Sequence, residues 1–312
     1  MSKNFINKTK IEGYLYQHSL ELKTSGPNSK NPGTEFITGT IEIATDNAIL
    51  NIVPIHFTYV TATTSTGKAN SAYPILLDII NGKYGNVMAN GKENATKLSV
   101  DSAIGLNEFY SDRSGKEELV SVKRNEGGFL HVVNELTEDE KKRNTFDVDM
   151  IITNVRHIEA DEEKNLPEKA IIKGAIFDFR KSLMPVEFSA VNPHAIAYFE
   201  GLDASPKNPT FTEVRGRQIS ETIVRQIVEE SAFGEASVRE VKSSNKDFVI
   251  TWARPEPYEW DAEGSITAAE LTEAMAARET YLATMKQRQD EYKASKGQTP
   301  AAFAPASGGF DF

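Results

Sequence analysis

The feature that most constrains this chain is a succession of elements that can be read twice along it. Residues 8–60 read as strands: Glu12-Gly13-Tyr14-Leu15-Tyr16 and Phe36-Ile37-Thr38-Gly39-Thr40-Ile41-Glu42-Ile43 alternate with the period of two that a half-buried sheet requires, and a third strand follows over 49–60. Between the first two lies Ser25-Gly26-Pro27-Asn28-Ser29-Lys30-Asn31-Pro32-Gly33, a dense turn cluster that predicts a long hairpin loop. Tyr73-Pro74-Ile75-Leu76-Leu77-Asp78-Ile79-Ile80 predicts a short helix, and strands over 96–110 and 118–133 complete the first set. After the charged stretch from Thr137 to Arg143 the order recurs. Strands fall over 146–159, 169–179 and 183–191, a short helix at Pro193 to Phe199, then strands over 211–224 and 237–254, with 219–230 open to a helical reading. Two local matches accompany the repeat: Val53-Pro54-Ile55-His56-Phe57 against Met184-Pro185-Val186-Glu187-Phe188, and Gly39-Thr40-Ile41 against Gly174-Ala175-Ile176.

Three strands, a helix and two strands is the order of an OB-type barrel, a five-stranded Greek key. The expected fold is therefore mainly β with some α: tandem OB-like five-stranded barrels, a C-terminal helix and a flexible tail. The expected boundaries are 1–136 for the first domain, 137–145 for a linker, 146–260 for the second domain, 261–296 for the helix and 297–312 for the tail. Thr267-Ala268-Ala269-Glu270 has the form of a capping box, and Leu271, Met275, Leu282 and Met285 recur at helical spacing, which predicts a stripe packed on the second domain. Beyond it, 297–309 is rich in Ala, Pro, Ser and Gly, with too little apolar bulk to fold.

At 312 residues the chain suffices for two ordinary cores. It has no cysteine, which removes disulfides and thiolate metal sites and suits a reducing compartment. No apolar run approaches the ~20 residues that cross a bilayer, and the N-terminus does not read as a signal peptide. The net charge of −10 opposes general polyanion binding, but it is unevenly spread. Residues 1–100 hold 9 basic and 7 acidic side chains, whereas 101–150 hold 7 and 12. A nucleic-acid site must then be a local groove.

Single strands are held by stacking bases on aromatic rings while cations track the backbone. In the first domain Ile37, Gly39, Ile41 and Ile43 form the inward set, which turns Phe36, Thr38 and Thr40 outward. Tyr14 and Tyr16 share one face and Leu15 takes the other; the pattern leaves open which is core, and the tyrosines are placed outward. Lys23, Lys30, Lys68, Arg113, Lys123 and Arg124 supply cations. Each residue alone is better explained by core or solvated surface, and only the set favours binding. The second domain offers Arg180 and Lys181 in a turn, Arg215 and Arg217 alternating on a strand, and Trp252, which either stacks a base or packs under Trp260 and the C-terminal helix. Phe310-Asp311-Phe312 combines two rings and a carboxylate on a mobile arm and suits capture in a basic, apolar pocket of a partner.

The search for catalytic motifs returns nothing: there is no phosphate-binding glycine loop, no His-Glu-x-x-His and no Gly-x-Ser-x-Gly. The five histidines are scattered and no close pair recommends a metal site; Asp147 with Asp149 fits a divalent-ion site, and a solvated acidic face explains the pair as well. The protein is expected not to be an enzyme.

With its strand block 11–60 carrying Tyr14, Tyr16 and Phe36, and a Gly/Pro-rich tether ending in Phe310-Asp311-Phe312, the chain resembles the single-stranded DNA-binding proteins of bacteria and bacteriophages. That resemblance implies a cytoplasmic protein that coats and protects single-stranded DNA during replication or recombination, in a bacterial or infected host cell. It implies docking of replication and recombination proteins by the tip, no cofactor, no membrane, and room for an oligomer. Family tails carry several aspartates before the last phenylalanine, and this one has Asp311 alone. The competing class is a structural or assembly protein of a phage particle built on OB-type barrels.

Overall fold

The computed structural model describes residues 5–27, 29–113, 115–161, 167–229, 237–263 and 265–297, with only the backbone described over 221–229, 237–245 and 295–297. The first half contains β1 (Asn7–His18), β2 (Glu21–Thr24), β3 (Glu35–Ala44), β4 (Ile52–Val60), α1 (Ala72–Ile80), α2 (Val87–Asn90), β5 (Lys97–Ser111) and β6 (Glu118–Val132). The second contains β7 (Asn144–Ile158), β8 (Lys169–Phe177), β9 (Leu183–Ala190), α3 (Pro193–Gly201), β10 (Thr210–Glu229), β11 (Ser237–Ala253) and the long α4 (Ala268–Gly297).

Strand pairing closes two rings of the same design. In the first, β1 pairs with β3, β3 with β4, β4 in parallel with β6, β6 with β5, and β5 with β1. In the second, β7 pairs with β8, β8 with β9, β9 in parallel with β11, β11 with β10, and β10 with β7. Each is an OB-type barrel with its helix between the third and fourth strands. β2 is a short, fully exposed edge strand on β3, just ahead of the turn cluster that begins at Ser25.

Alternation places Ile37, Ile41 and Ile43 of β3 and Val53, Ile55 and Phe57 of β4 in the first core, which α1 closes with Leu76 and Ile79. The second core is built from Phe146, Met150, Ile172, Val186, Phe188 and Val214, closed by Ile196 and Phe199 of α3. Both matched glycines stand where a strand crosses closely: a Cβ on Gly39 would run into the Ser19 carbonyl, and one on Gly174 into that of Ile151. Gly39 also has φ of 130°, which only glycine adopts readily.

The barrels are joined, not merely tethered. The first half of β1 pairs with the start of β7, Lys8 opposite Asp147 and Lys10 opposite Thr145, so β5, β1, β7 and β10 run as one continuous sheet. Ile104 of β5 enters the second core. The stretch from Thr137 to Arg143 is anchored: Arg143, 4% exposed, donates from Nε to the Thr137 carbonyl at 2.5 Å, while Thr137 Oγ1 donates to the Glu12 carboxylate at 3.1 Å.

Two local expectations are corrected. Residues 219–229 are strand: the backbone of β10 pairs with β11 as far as Glu229 opposite Ser237. Ile219, Ile223 and Ile227 lie at a helical spacing, but the facing strand supplies the hydrogen-bond partners that a helix would have found in itself. In α4, Met275 faces solvent at 52% exposure, and Ala274 takes its place beside Leu271 and Ile266 over Ile151, Phe177 and Phe211. The capping box is present, with Glu270 N bonded to Thr267 Oγ1 at 3.1 Å and Thr267 N to the Glu270 carboxylate at 3.0 Å. The helix begins on the second barrel and then crosses to the β5–β6 hairpin of the first, where Gln289 bonds both Tyr110 N and Tyr110 O. Among the described residues no helix is long and apolar enough to cross a membrane.

Candidate nucleic-acid interface

The outward face of β3 and β4 carries a pair of aromatic rings with a cation opposite in the strand register. Phe36 lies against Tyr59 with ring centroids 4.4 Å apart, and Tyr59 is 47% exposed. Lys23 on β2 stands directly opposite Phe36 in the strand register. Beside these rings opens a cleft of about 930 Å³ between the loop after β2 and the loop after β4, lined by Asn31, Glu35, Tyr59, Thr61, Asn70 and Tyr73 among others. Lys30 adjoins Asn31 on one rim. The other rim, at Thr64 and Ser65, belongs to the turn that carries Lys68, closed by Thr64 N donating to the Lys68 carbonyl at 2.7 Å. The cleft is thus lined by Tyr59 and Tyr73, Lys30 and Lys68 belong to its two loops, and Phe36 and Lys23 stand beside it on β3 and β2.

Along the same face, Thr40 Oγ1 meets His56 Nδ1 at 2.5 Å, and Arg124 of β6 pairs with Glu126 at 2.6 Å. Burial lowers the His56 pKa, with the Arg124 charge adding to the effect and Glu126 opposing it.

Tyr59 and Tyr73 are absent from the sequence-derived set. In strict alternation from Val53, Ile55 and Phe57, Tyr59 would point inward. The β3–β4 ladder, however, pairs Gly39 with Phe57 and Ile37 with Val60, so β4 carries one extra residue and its phase reverses past Phe57. That bulge turns Tyr59 outward beside Phe36.

Other expected residues stand elsewhere. Tyr14 and Tyr16 are half-buried with Leu15 in the core, as the outward assignment requires, but Tyr14 pairs with Ala44 at the far end of β3 from Phe36. At ~3.3 Å per residue that is about 26 Å away. Its ring is covered by Lys92, 5.3 Å from the centroid. Tyr16 occupies the bulge between Leu15 and Gln17. Arg113 sits at the β5–β6 turn with Phe109 and Val120, near the end of α4. Lys123 is a correction: it is spent between the barrels, with its ammonium 5.2 Å from the Phe188 ring and 4.7 Å from that of Phe248, donating to the Glu187 carbonyl. Burial lowers its pKa, partly offset by Asp247 and Glu187.

On the second barrel the expected set divides. Arg180 covers the 88% exposed Phe179 at 4.9 Å in the β8–β9 turn, where Lys181 adopts a positive φ of 63°. Arg215 stacks on Trp252 at 4.5 Å on β10 and β11 and is paired with Asp147 at 3.3 Å and with Glu213. Trp252 is 41% exposed, so the ring under α4 is Trp260. Arg217 follows Arg215 on the same face, opposite Thr145. Phe310, Asp311 and Phe312 lie outside the described residues.

Two five-stranded barrels of identical strand order, fused through their first strands and strapped by a C-terminal helix, define a tandem OB-barrel protein. Residues 6–288 match the model of the YorF family, and the chain belongs to that family. No curated protein matches it in sequence. Among solved structures it is similar to a deletion mutant of the single-stranded DNA binding protein from Thermus aquaticus, with 9% identity, 83% of this chain and 97% of that chain covered, and a TM-score of 0.45.

Proposed function

We propose that this protein binds single-stranded DNA, without catalysis, through the β3–β4 face and adjoining cleft of its first barrel. The observation that carries the reading is the Phe36–Tyr59 ring pair beside an open cleft lined by Tyr59 and Tyr73, with Lys23 opposite Phe36 on β2 and with Lys30 and Lys68 carried by the two loops that border the cleft. Rings accept bases of any identity and the lysines follow the backbone, while the two loops leave a single strand room that a duplex does not have. The second and third strands of an OB barrel, with the loop joining the first two, are where the fold places oligonucleotides. The acidic remainder of the surface suppresses binding elsewhere. In this reading the protein coats and protects unwound DNA during phage or bacterial replication and recombination, and Phe310, Asp311 and Phe312 recruit partner proteins.

The test is fluorescence anisotropy of a labelled oligo-dT beside a duplex control at two salt concentrations. Salt-weakened binding confined to the single strand, reduced in Phe36→Ala and Tyr59→Ala, is expected. No binding at low salt overturns the proposal and leaves the particle-assembly reading in front.

A further inference from the structure

The second barrel collects four ionisable side chains where β7 hands over to β8. The ladder pairs His157 with Ala170 and Ile158 with Lys169, so Glu159 and Glu168 stand just past its last rung, facing each other at the base of the connection. His157 Nε2 lies 3.1 Å from the Glu168 carboxylate and 3.7 Å from that of Glu159. Its other nitrogen, Nδ1, lies 2.7 Å from the Glu200 carboxylate on α3, a helix anchored by Ile196 and Phe199 in the core. One ligand atom each from His157, Glu159 and Glu168 falls within 4.8 Å of the others.

The chemistry of this arrangement is specific. With Nδ1–H donating to the Glu200 carboxylate, Nε2 faces two further carboxylates, which accept hydrogen bonds but donate none. Among the described residues the recorded ion pairs of all three carboxylates run to this one imidazole. A proton on Nε2 would neutralise one negative charge of three; a dication at the same point accepts the nitrogen lone pair and both carboxylates together. The Nδ1 contact to Glu200 is the carboxylate–histidine arrangement that orients metal-bound imidazoles. Glu159, 91% exposed, leaves the outer side open to water.

We propose that His157 Nε2, Glu159 and Glu168 bind a divalent transition-metal ion, Zn²⁺ by ligand type, with Glu200 as the positioning residue and water completing the shell. One imidazole and two carboxylates suit Zn²⁺ better than Mg²⁺, which demands an all-oxygen octahedron. The ion clips the end of β7 to the start of β8 and so closes the base of the loop between the first two strands of this barrel. The proposal stands on the second barrel alone and is independent of DNA binding.

The experiment is isothermal titration of the full chain, stripped with chelator, with Zn²⁺, beside His157→Gln, Glu168→Gln and Glu200→Gln. One ion per chain is expected, bound at least tenfold more weakly by the first two variants, with Glu200→Gln weakened by about 10- to 100-fold. Millimolar Mg²⁺ is expected not to compete. All these side chains lie at the surface, so the variants keep the fold; a thermal midpoint raised by Zn²⁺ in the unsubstituted protein but not in His157→Gln is the second readout. Undetectable Zn²⁺ binding, or binding equally retained by His157→Gln and Glu168→Gln, overturns the assignment.

Discussion

Asn125 of the first barrel and Gln218 of the second exchange two side-chain hydrogen bonds, each of 2.8 Å, across 93 residues of sequence. Both side chains are almost fully buried, at 3% and 5% exposure. Around them Asn144 donates to the Gln218 carbonyl at 2.6 Å, and Asn51 accepts from Ser220 N at 2.6 Å. This amide network ties the first barrel to the second. A buried amide that loses its partner costs about 1–3 kcal/mol. Gln218→Leu is therefore expected to lower the thermal midpoint by several degrees, and adding Asn125→Leu to cost less than the sum of the single substitutions. Calorimetry of the three variants measures this; strict additivity would show that the pair is not coupled.

A second prediction concerns α4. Arg278 makes a two-pronged contact with Glu108 on β5, whose side chain is 1% exposed, and Ser121 donates to the same carboxylate at 2.5 Å. Burial pushes the Glu108 carboxyl up, but the bonds from Arg278 and Ser121, with the Arg278 charge, outweigh it and leave the pKa below the ordinary value. A carboxyl depressed in the folded state contributes stability that is fully present above its unfolded pKa of ~4.3 and is lost as pH falls through the folded value. As pH falls through that folded value the helix is expected to loosen from the hairpin before the barrels unfold. Hydrogen exchange at the Tyr110 amide, bonded to Gln289 at 3.1 Å, reports it. Arg278→Met, which strands a buried carboxylate, is expected to cost about 3–5 kcal/mol at neutral pH.

Lys123 yields the opposite sign. Its pKa is lowered by burial between Phe188 and Phe248, so the charged form is penalised by folding. That penalty is fully present below the folded pKa and is relieved as pH rises through it toward the unfolded ~10.4. Lys123→Met, which fills the same space without the charge, is expected to be at least as stable as the unsubstituted protein at pH 7. Because this ammonium is turned inward, affinity for oligo-dT is expected to stay within about twofold, well inside the tenfold that 1.4 kcal/mol represents. A large loss of affinity would return Lys123 to the binding surface.

At the cleft, removing one stacking ring is expected to cost ~1–3 kcal/mol, or about 5- to 150-fold in affinity, for Phe36→Ala or Tyr59→Ala. Tyr14→Ala, at the far end of β3, is expected to change affinity little. Lys23→Ala, Lys30→Ala and Lys68→Ala are each expected to reduce the salt slope of log affinity by a fraction of a unit to about one, in proportion to the phosphate contact each makes. Equal losses for Tyr14→Ala and Phe36→Ala would move the path off the cleft and along the whole of β3.

What the sequence determined by itself was everything that depends on local period and punctuation. Alternation in β3 separated Ile37, Ile41 and Ile43 from Phe36; the strand–helix–strand succession announced the barrel twice; Thr267 and Glu270 marked the start of α4. These are properties of neighbouring residues, set by the geometry of strand and helix. Tertiary structure decided which residues meet. A bulge opposite Gly39 reversed the phase of β4 and brought Tyr59 to Phe36. Packing of β6 beside the second barrel withdrew Lys123 onto the Phe188 and Phe248 rings, while Lys23 stayed on the exposed edge strand β2. Ladder closure likewise set Glu159 against Glu168 across a connection, beside a histidine with no histidine neighbour in sequence. Strand pairing across tens of residues has no signature in a local window. Its register is chosen by the joint burial of two cores, and a shift of one residue sends every side chain to the other face.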